Sequence, residues 1–340
     1  MLSVLSISYL FLGGAGAGAL FLNTVLDLRS PWASQDYQPQ LLSRMSELSF
    51  LRMHESQQEK QTHKTRLCGY KPQPVYRGLF SAGYVAGLVV LALGILCLLA
   101  DLGRIDRVLF LFTLPTISLI AIGTYALTIL LLVAIALSAV WLFGLNTPWR
   151  WLITTLRVII LIFSVSAMLY TGLLFQSMGT GLLIGSFLLP ILFLLSSLST
   201  GGAILLIVFT LARKTQGFKN ICDQLIRVDC IVIALELLTT GALVVQALLT
   251  PGFAQTVEAL TQGSESIVFW VGFIVCGLAV PFVFELIQWK KRSDSSQRSG
   301  ARPSFVLVAA LVLVGGFSLR WCVVMAGLPV FVASMIQIGG

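Results

Sequence analysis

Residues 116–144 read TISLIAIGTYALTILLLVAIALSAVWLFG and contain no charged side chain. A helix needs roughly 20 apolar residues to cross the hydrocarbon core of a bilayer, and this stretch exceeds that length. Comparable apolar runs lie at 2–26, 79–100, 151–176, 182–212, 230–250, 266–288 and 304–336. The pattern predicts an all-α polytopic membrane protein with about eight transmembrane helices and no strand.

Composition supports this fold class. Of the 340 residues 57% are hydrophobic and 11% are charged, and the mean hydropathy is +0.94, whereas soluble domains carry about 25% charged residues. The net charge of +8 accompanies no compact basic domain, so nucleic-acid binding is not expected. The first run has no Lys or Arg before Arg29, which favours a retained helix over a signal peptide.

The basic residues orient the predicted helices. Eighteen of the 22 Lys and Arg lie in the odd-numbered loops, and the even-numbered loops hold only Arg104 and Arg107. Loops rich in Lys and Arg remain on the cytoplasmic side, so both termini and the even loops are expected outside. We expect two four-helix bundles: residues 1–176, which include a long cytoplasmic loop at 28–78, and residues 177–340.

Histidine and cysteine placement bears on cofactors. Both histidines, His54 and His63, lie in the first loop, and a membrane haem is normally held by histidines within helices. The six cysteines form no C-x-x-C pair, so no iron–sulfur or zinc ligand pattern is present. We therefore expect neither haem nor a metal in this chain.

Four ionisable residues fall within predicted helices: Arg157, Glu236, Glu285 and Arg320. Such groups are costly at membrane depth and are functional candidates. Arg157 and Glu285 lie near predicted cytoplasmic ends, from which they could snorkel to the interface. Glu236 and Arg320 are deeper, where they would form either a structural ion pair or part of a proton path.

A second group of polar residues shares the predicted outer side. Asp101 and Arg104 follow the second run, where they form either a simple helix end or a binding site for a ligand or partner. Topology places Ser6, Tyr9 and Tyr170 on the same side. The small residues from Gly13 to Ala19 favour close helix packing.

Several stretches resemble one known family. They are YLFLGGAGAG at 9–18, ADLGRIDR at 100–107, YTGLL at 170–174 and PILFLLSSLSTG at 190–201, followed by Leu319-Arg320 and Ala326-Gly327. In this order they resemble the NrfD/PsrC family, the membrane subunits of polysulfide reductase and related molybdenum enzymes. The resemblance covers nearly the whole chain.

The resemblance implies a function. Family members bind a quinone near the outer surface, between helices of the first bundle, and exchange electrons with an iron–sulfur subunit that contacts a molybdopterin-bearing catalytic subunit. By this resemblance the protein would bind menaquinone or ubiquinone, dock both partners on its outer face and reside in a bacterial inner membrane, in anaerobic respiration. The terminal chemistry would lie in another subunit.

The resemblance also implies site residues. The polar positions before the glycine-rich stretch match Ser6 and Tyr9, where some relatives have Asn and His. A tyrosine is a poor base at neutral pH, so Asp101 is the candidate proton acceptor, oriented by Arg104, with Tyr170 a further hydrogen-bond donor.

Two other functions remain open from the residues alone. A solute or ion transporter could use Glu236, Glu285 and Arg320, with helix breaks at Pro190 and Pro281, although the eight runs show no clear inverted repeat. A purely structural anchor would dock a soluble partner without binding a quinone.

Overall fold

A computed structural model describes residues 4–29, 34–37, 69–72, 74–102, 119–144, 150–178, 187–211, 218–249, 266–293 and 302–338. Eight helical spans there are long and apolar enough to cross a membrane. They are α1 (Val4–Arg29), α2 (Pro74–Leu102), α3 (Leu119–Phe143), α4 (Arg150–Met178), α5 (Leu188–Leu211), α6 (Phe218–Leu249), α7 and α8 (Arg302–Ile338). Helix α7 is π-helical over Val268–Ala279 and α-helical over Val280–Ser293. The predicted fold class, an all-α polytopic membrane protein, is confirmed.

The sixth helix differs most from its predicted bounds. The apolar run starts at 230, but α6 begins at Phe218 and ends at Leu249. The additional turns contain Asp223, Arg227 and Asp229, which lower the local hydropathy without breaking the helix. All three residues therefore lie in the helix and not in a loop, and Asp229 is buried there.

A short β-ribbon corrects the expectation of no strand. Strands β1 (Ser34–Tyr37) and β2 (Gly69–Pro72) pair antiparallel, with Ser34 opposite Pro72. Both belong to the loop predicted at 28–78. Strands of four residues are too short to display the alternating apolar pattern by which strands are found in a sequence.

Helix contacts form two closed rings. Helix α1 contacts α2 and α4, and α3 contacts the same two helices; α5 contacts α6 and α8, and α7 contacts those two. The rings meet where α1 and α4 contact α5. Helices α1 and α5 therefore bury most of their residues, whereas the other spans leave more of their surface outward.

The largest apolar core joins the four helices of the first ring to α5 and α6 of the second. Trp141 of α3 is fully buried against Phe80 and Tyr84 of α2, with ring centroids 5.1 and 6.5 Å away. Large apolar side chains such as Leu132, Leu238 and Val283 are exposed, as expected of surfaces that face lipid. This packing holds α1, α2 and α4 in the arrangement that forms the site described next.

Candidate functional site

Glycines bring α1 close to two helices at once. A β-carbon added at Gly16 would lie 2.6 Å from the backbone nitrogen of Leu91 in α2. One added at Gly18 would lie 2.0 Å from the carbonyl oxygen of Ser197 in α5. Neither distance tolerates a side chain, so these glycines allow the backbones to touch and fix the position of α1.

The start of α1 meets the end of α2 through a polar contact. The Ser6 hydroxyl donates a hydrogen bond of 2.6 Å to Oδ2 of Asp101. Ser6 is buried, whereas Asp101, in the last turn of α2, is exposed. The Asp101 carboxylate therefore accepts a hydrogen bond from a buried hydroxyl, while Asp101 itself is exposed at the protein surface.

Two tyrosines lie beside this contact. The side chains of Tyr9 in α1 and Tyr170 in α4 are hydrogen-bonded to each other, and Asp101 is close enough to Tyr9 to act on it electrostatically. Tyr170 is buried and packs against Gly123 of α3, where a β-carbon would lie 2.2 Å from its ring. The missing side chain at Gly123 thus makes room for the Tyr170 ring.

The structure therefore brings four of the five residues of the predicted quinone site together at one end of α1, α2 and α4: Ser6, Tyr9, Asp101 and Tyr170. Arg104, the fifth, lies outside the described residues. The cluster combines an exposed carboxylate, which accepts protons and hydrogen bonds, with hydroxyl groups that donate hydrogen bonds. This arrangement suits a small ligand with carbonyl or hydroxyl groups.

A buried arginine links this cluster to the second ring of helices. Arg320 of α8 is fully buried and donates to the carbonyl oxygen of Leu10, the neighbour of Tyr9, at 3.2 Å. It also donates to the hydroxyls of Ser196 and Ser197 at 3.3 and 2.9 Å. Its guanidinium lies 5.5 Å from the ring centroids of both Phe11 and Phe193, where cation–π attraction offsets part of the cost of burial.

Glu236 of α6 lies on the other side of Ser196. It is 3% exposed, its side chain is hydrogen-bonded with that of Ser196, and Arg320 acts on it electrostatically. The Ser196 hydroxyl thus lies between Glu236 and Arg320. The two roles predicted for Glu236 and Arg320, an ion pair or a proton path, both remain predictions.

Arg157 does not snorkel as predicted. It is buried, and its Nη2 donates to Oδ1 of Asp27 at 2.8 Å and lies 2.8 Å from Oδ2. The Tyr84 hydroxyl donates to the same carboxylate at 3.0 Å. The apolar run at 2–26 stops one residue before Asp27, so the hydropathy pattern did not indicate that Asp27 lies within a helix. A buried acid within reach makes an ion pair more favourable than a stretched side chain.

Glu285 does not snorkel either. It is 3% exposed and in hydrogen-bonding contact with Asp229 of α6, which is equally buried. Asp229 was missed for the same reason as Asp27, since the sixth run was started at 230. In both cases the charged residue lowers the local hydropathy, so the apolar run is shorter than the helix.

The described residues hold no cluster of three or more His, Cys, Asp or Glu side chains arranged to bind a metal ion. The cysteines described there are free thiols, at positions 97, 222, 230, 276 and 322.

The eight spans and their buried polar clusters define a multi-pass membrane protein with polar sites built between helices. The family described as "Polysulphide reductase, NrfD" matches residues 70–333, and the chain belongs to this family. The family resemblance drawn from the sequence motifs is thereby confirmed.

Three relatives show how far the similarity extends. The C subunit of the polysulfide reductase of Wolinella succinogenes is 29% identical over 177 residues, which are 51% of this protein and 53% of that subunit. Protein NrfD of Escherichia coli is 28% identical over 174 residues, or 51% and 52% of the two proteins. The NrfD homolog of Haemophilus influenzae is 26% identical over 180 residues, or 52% and 53%. The matched part spans about half the length of each relative.

Proposed function

We propose that this protein is the quinone-reactive membrane subunit of an oxidoreductase complex, in a bacterial inner membrane. Residues 1–176 form the bundle that binds menaquinone or ubiquinone, residues 177–340 form the second bundle, and both termini lie outside the cytoplasm. An iron–sulfur subunit and a molybdopterin subunit dock on the outer face, as family membership and the naming of one relative as a subunit of polysulfide reductase suggest.

The observation that carries the proposal is the cluster of Ser6, Tyr9, Asp101 and Tyr170. A quinol head group carries two hydroxyls that must each lose a proton on oxidation. Asp101 is exposed, held by Ser6 and close to Tyr9, so it can accept one of these protons while a tyrosine hydroxyl bonds the other oxygen of the ring.

Oxidation of one quinol to quinone releases two electrons and two protons. An iron–sulfur partner docked on the outer face would supply the acceptor for both electrons. One proton passes to the Asp101 carboxylate and then to water. The second passes from the other ring oxygen through the hydroxyl of the tyrosine bonded to it, and reaches Asp101 after Asp101 has released the first. Reduction of quinone runs through the same groups in reverse.

Charge distribution supports the side of the membrane. Helix α1 begins and α2 and α4 end at the cluster. The opposite ends of these helices join the first and third predicted loops, which hold nine basic residues, eight from Arg29 to Arg77 and one at Arg150, and this favours the cytoplasm for them. The cluster then faces outward, where secreted partners would dock.

Asp101→Asn in the complex purified with its partners tests the assignment. Loss of a general base typically lowers turnover about 100-fold or more, so quinol oxidation should fall by that order. Ser6→Ala should give a smaller loss, because Asp101 remains but loses its anchor. Ser8→Ala is the matched control, since that hydroxyl bonds only to Val4 of its own helix in the described structure. Unchanged turnover in Asp101→Asn would remove Asp101 from the mechanism.

Quinone content separates this function from a structural anchor. Quinone extracted from the purified protein and quantified by chromatography should approach one per protein molecule, and should fall in Tyr9→Phe and Tyr170→Phe. Absence of quinone from the active, partner-bound complex would favour an anchor that only docks the other subunits.

A transporter is the alternative that buried acids favour. Glu236 and Glu285 are each 3% exposed within spans. The helix breaks on which this alternative depended are weaker in the structure: Pro190 lies in the first turn of α5, where proline fits an ordinary helix start, and Pro281 follows the junction of the π- and α-helical parts of α7. Substrate-dependent ion flux in vesicles of the protein without partners would establish this function.

A further inference from the structure

Two acids meet in the second ring of helices, away from the proposed quinone site. Asp229 of α6 and Glu285 of α7 are each 3% exposed, and their side chains are in hydrogen-bonding contact. Neither oxygen of Asp229 accepts a hydrogen bond from an N–H or O–H group of the described protein, and neither does Oε2 of Glu285. Two ionised carboxylates only accept hydrogen bonds, so their contact is a hydrogen bond only when one of them carries a proton.

A serine on a third helix faces the same pair. The side chain of Ser199 in α5 is buried and directed at Asp229. Its hydroxyl makes no hydrogen bond to its own helix, whereas the neighbouring Thr200 bonds back to the carbonyl of Ser196 at 2.8 Å. The hydroxyl is therefore available to the pair. Gly202 of α5 also borders the pair, because a β-carbon there would lie 3.5 Å from the Asp229 carboxyl.

Among the described residues, none supplies a positive charge that would compensate the pair. The other titratable groups that face the pair are Cys230 and Glu236, both on α6, and neither is cationic. Arg320 of α8 acts on Glu236, and no Lys or Arg of the described residues forms an ion pair with Asp229 or Glu285. Two adjacent negative charges in such a site would cost far more than a single shared proton.

We infer that Asp229 and Glu285 share one proton and that, together with Ser199, they form a proton-binding site in the second half of the membrane protein. The inference rests on α5, α6 and α7 and is independent of quinone binding at the other cluster. The proposed occupant is a proton, because two carboxyls in direct contact need one proton between them to form a hydrogen bond.

The position of the pair suggests how the proton exchanges. Glu285 lies eight residues before the end of α7 at Ser293, which corresponds to about 12 Å along a helix. The ends of α6 and α7 nearest to the pair join loops in the basic, cytoplasm-facing set. Exchange with water therefore occurs from that side.

Infrared spectroscopy of the full-length protein in lipid tests the inference. At neutral pH the wild-type protein should show the carbonyl band of a protonated carboxylic acid that shifts in deuterium oxide. The band should shift in frequency in both Asp229→Asn and Glu285→Gln, because the remaining buried acid then bonds to an amide and not to a second carboxyl. Glu236→Gln is the matched control, since it removes a buried acid from the same helix and should retain the band of the pair.

Two outcomes would overturn the inference. The first is a wild-type spectrum without such a band at neutral pH, a result that needs no variant to fold. The second is a band whose frequency is the same in the wild type, Asp229→Asn and Glu285→Gln, which would mean that it does not arise from this pair. If the wild-type band is absent and sodium chloride, compared with choline chloride, raises the melting temperature of the wild type but not of Glu285→Gln, the site binds sodium. Quinone content and quinol oxidation are measured on the same samples, so either proposal can fail alone.

Discussion

Asp27 and Asp229 are both aspartates that are 3% exposed inside membrane-spanning helices, yet their partners have opposite chemistry. Asp27 of α1 bonds Arg157 of α4 at 2.8 Å and Tyr84 of α2 at 3.0 Å. Asp229 of α6 meets another acid, Glu285 of α7. The first cluster contains opposite charges that cancel, and the second contains two groups of the same kind.

The difference separates a fixed charge from an exchangeable one. An acid that faces arginine is stable in its ionised form and has no reason to change its protonation state. An acid that faces an acid is stable only with a proton between them, and that proton can leave or return. The first ring of helices therefore uses its buried acid to join α1, α2 and α4, whereas the second ring holds its acids in a form that can take part in proton exchange.

Removing the charge of Asp27 should have the largest effect on stability. Asp27→Asn leaves the Arg157 guanidinium buried without an opposite charge, which typically costs about 3–5 kcal/mol. The free energy of unfolding, measured by detergent denaturation in mixed micelles, should fall by that order. A loss below about 1 kcal/mol would show that Arg157 contacts water and that the ion pair is exposed to solvent.

Removing both charges of the first cluster should restore much of that loss. Replacement of a buried ion pair by apolar residues of similar volume is often neutral or stabilising, so Asp27→Leu combined with Arg157→Leu should be more stable than Asp27→Asn alone. The same denaturation measurement compares the two. A double variant less stable than the single one would mean that hydrogen bonds from Tyr84, and not charge neutralisation, dominate the cluster.

The Tyr84 hydroxyl should contribute less than the ion pair. Tyr84→Phe removes one hydrogen bond to Asp27 while Arg157 still neutralises it, and hydrogen bonds between membrane helices are worth about 1 kcal/mol. The free energy of unfolding should fall by that amount. Tyr170→Phe is the comparison, because it removes a tyrosine hydroxyl that is bonded to Tyr9 and not to an ion pair; an equal loss in both variants would show that the ion pair does not strengthen the Tyr84 bond.

The smallest effect is expected in the second cluster. Asp229→Asn makes the same chemical change as Asp27→Asn, but it replaces one of two acids that already share a proton. An amide can donate a hydrogen bond to Glu285 in place of that proton, so the free energy of unfolding should change by less than about 1 kcal/mol. A loss as large as that of Asp27→Asn would mean that Asp229 is ionised and held by a cation, contrary to the proposed proton-binding site.

Much of the architecture could be predicted from the sequence. The eight apolar runs anticipate eight helices, and their order places Ser6, Tyr9, Asp101 and Tyr170 at one end of the first four. Such a prediction succeeds because the ends of antiparallel helices alternate between two sides, so loop order alone decides which ends are neighbours. The roles assigned to these residues in quinone chemistry stay predictions.

The misplaced residues share one physical cause. Asp27 directly follows the apolar run at 2–26, and Asp229 directly precedes the run at 230–250. Both fall outside because a charge lowers the hydropathy on which such boundaries depend. Arg157 and Glu285 lie near predicted cytoplasmic helix ends, from which they could snorkel, and the apolar runs gave no sign of the acids that they contact. The apolar residues that precede Asp229, such as Ile221 and Leu225, were the signal that α6 begins earlier.

The sequence by itself determined the number and approximate bounds of the spans, because the cost of placing a residue in hydrocarbon depends mainly on that residue and its near neighbours. The tertiary structure alone decided which buried charges are neutralised and by what. Asp27 and Arg157 are 130 positions apart in the sequence, and Asp229 meets Glu285 through packing of α6 against α7. Electrostatic interaction depends on distance in space, so whether a buried acid is a fixed charge or a proton-binding group is set by helix packing.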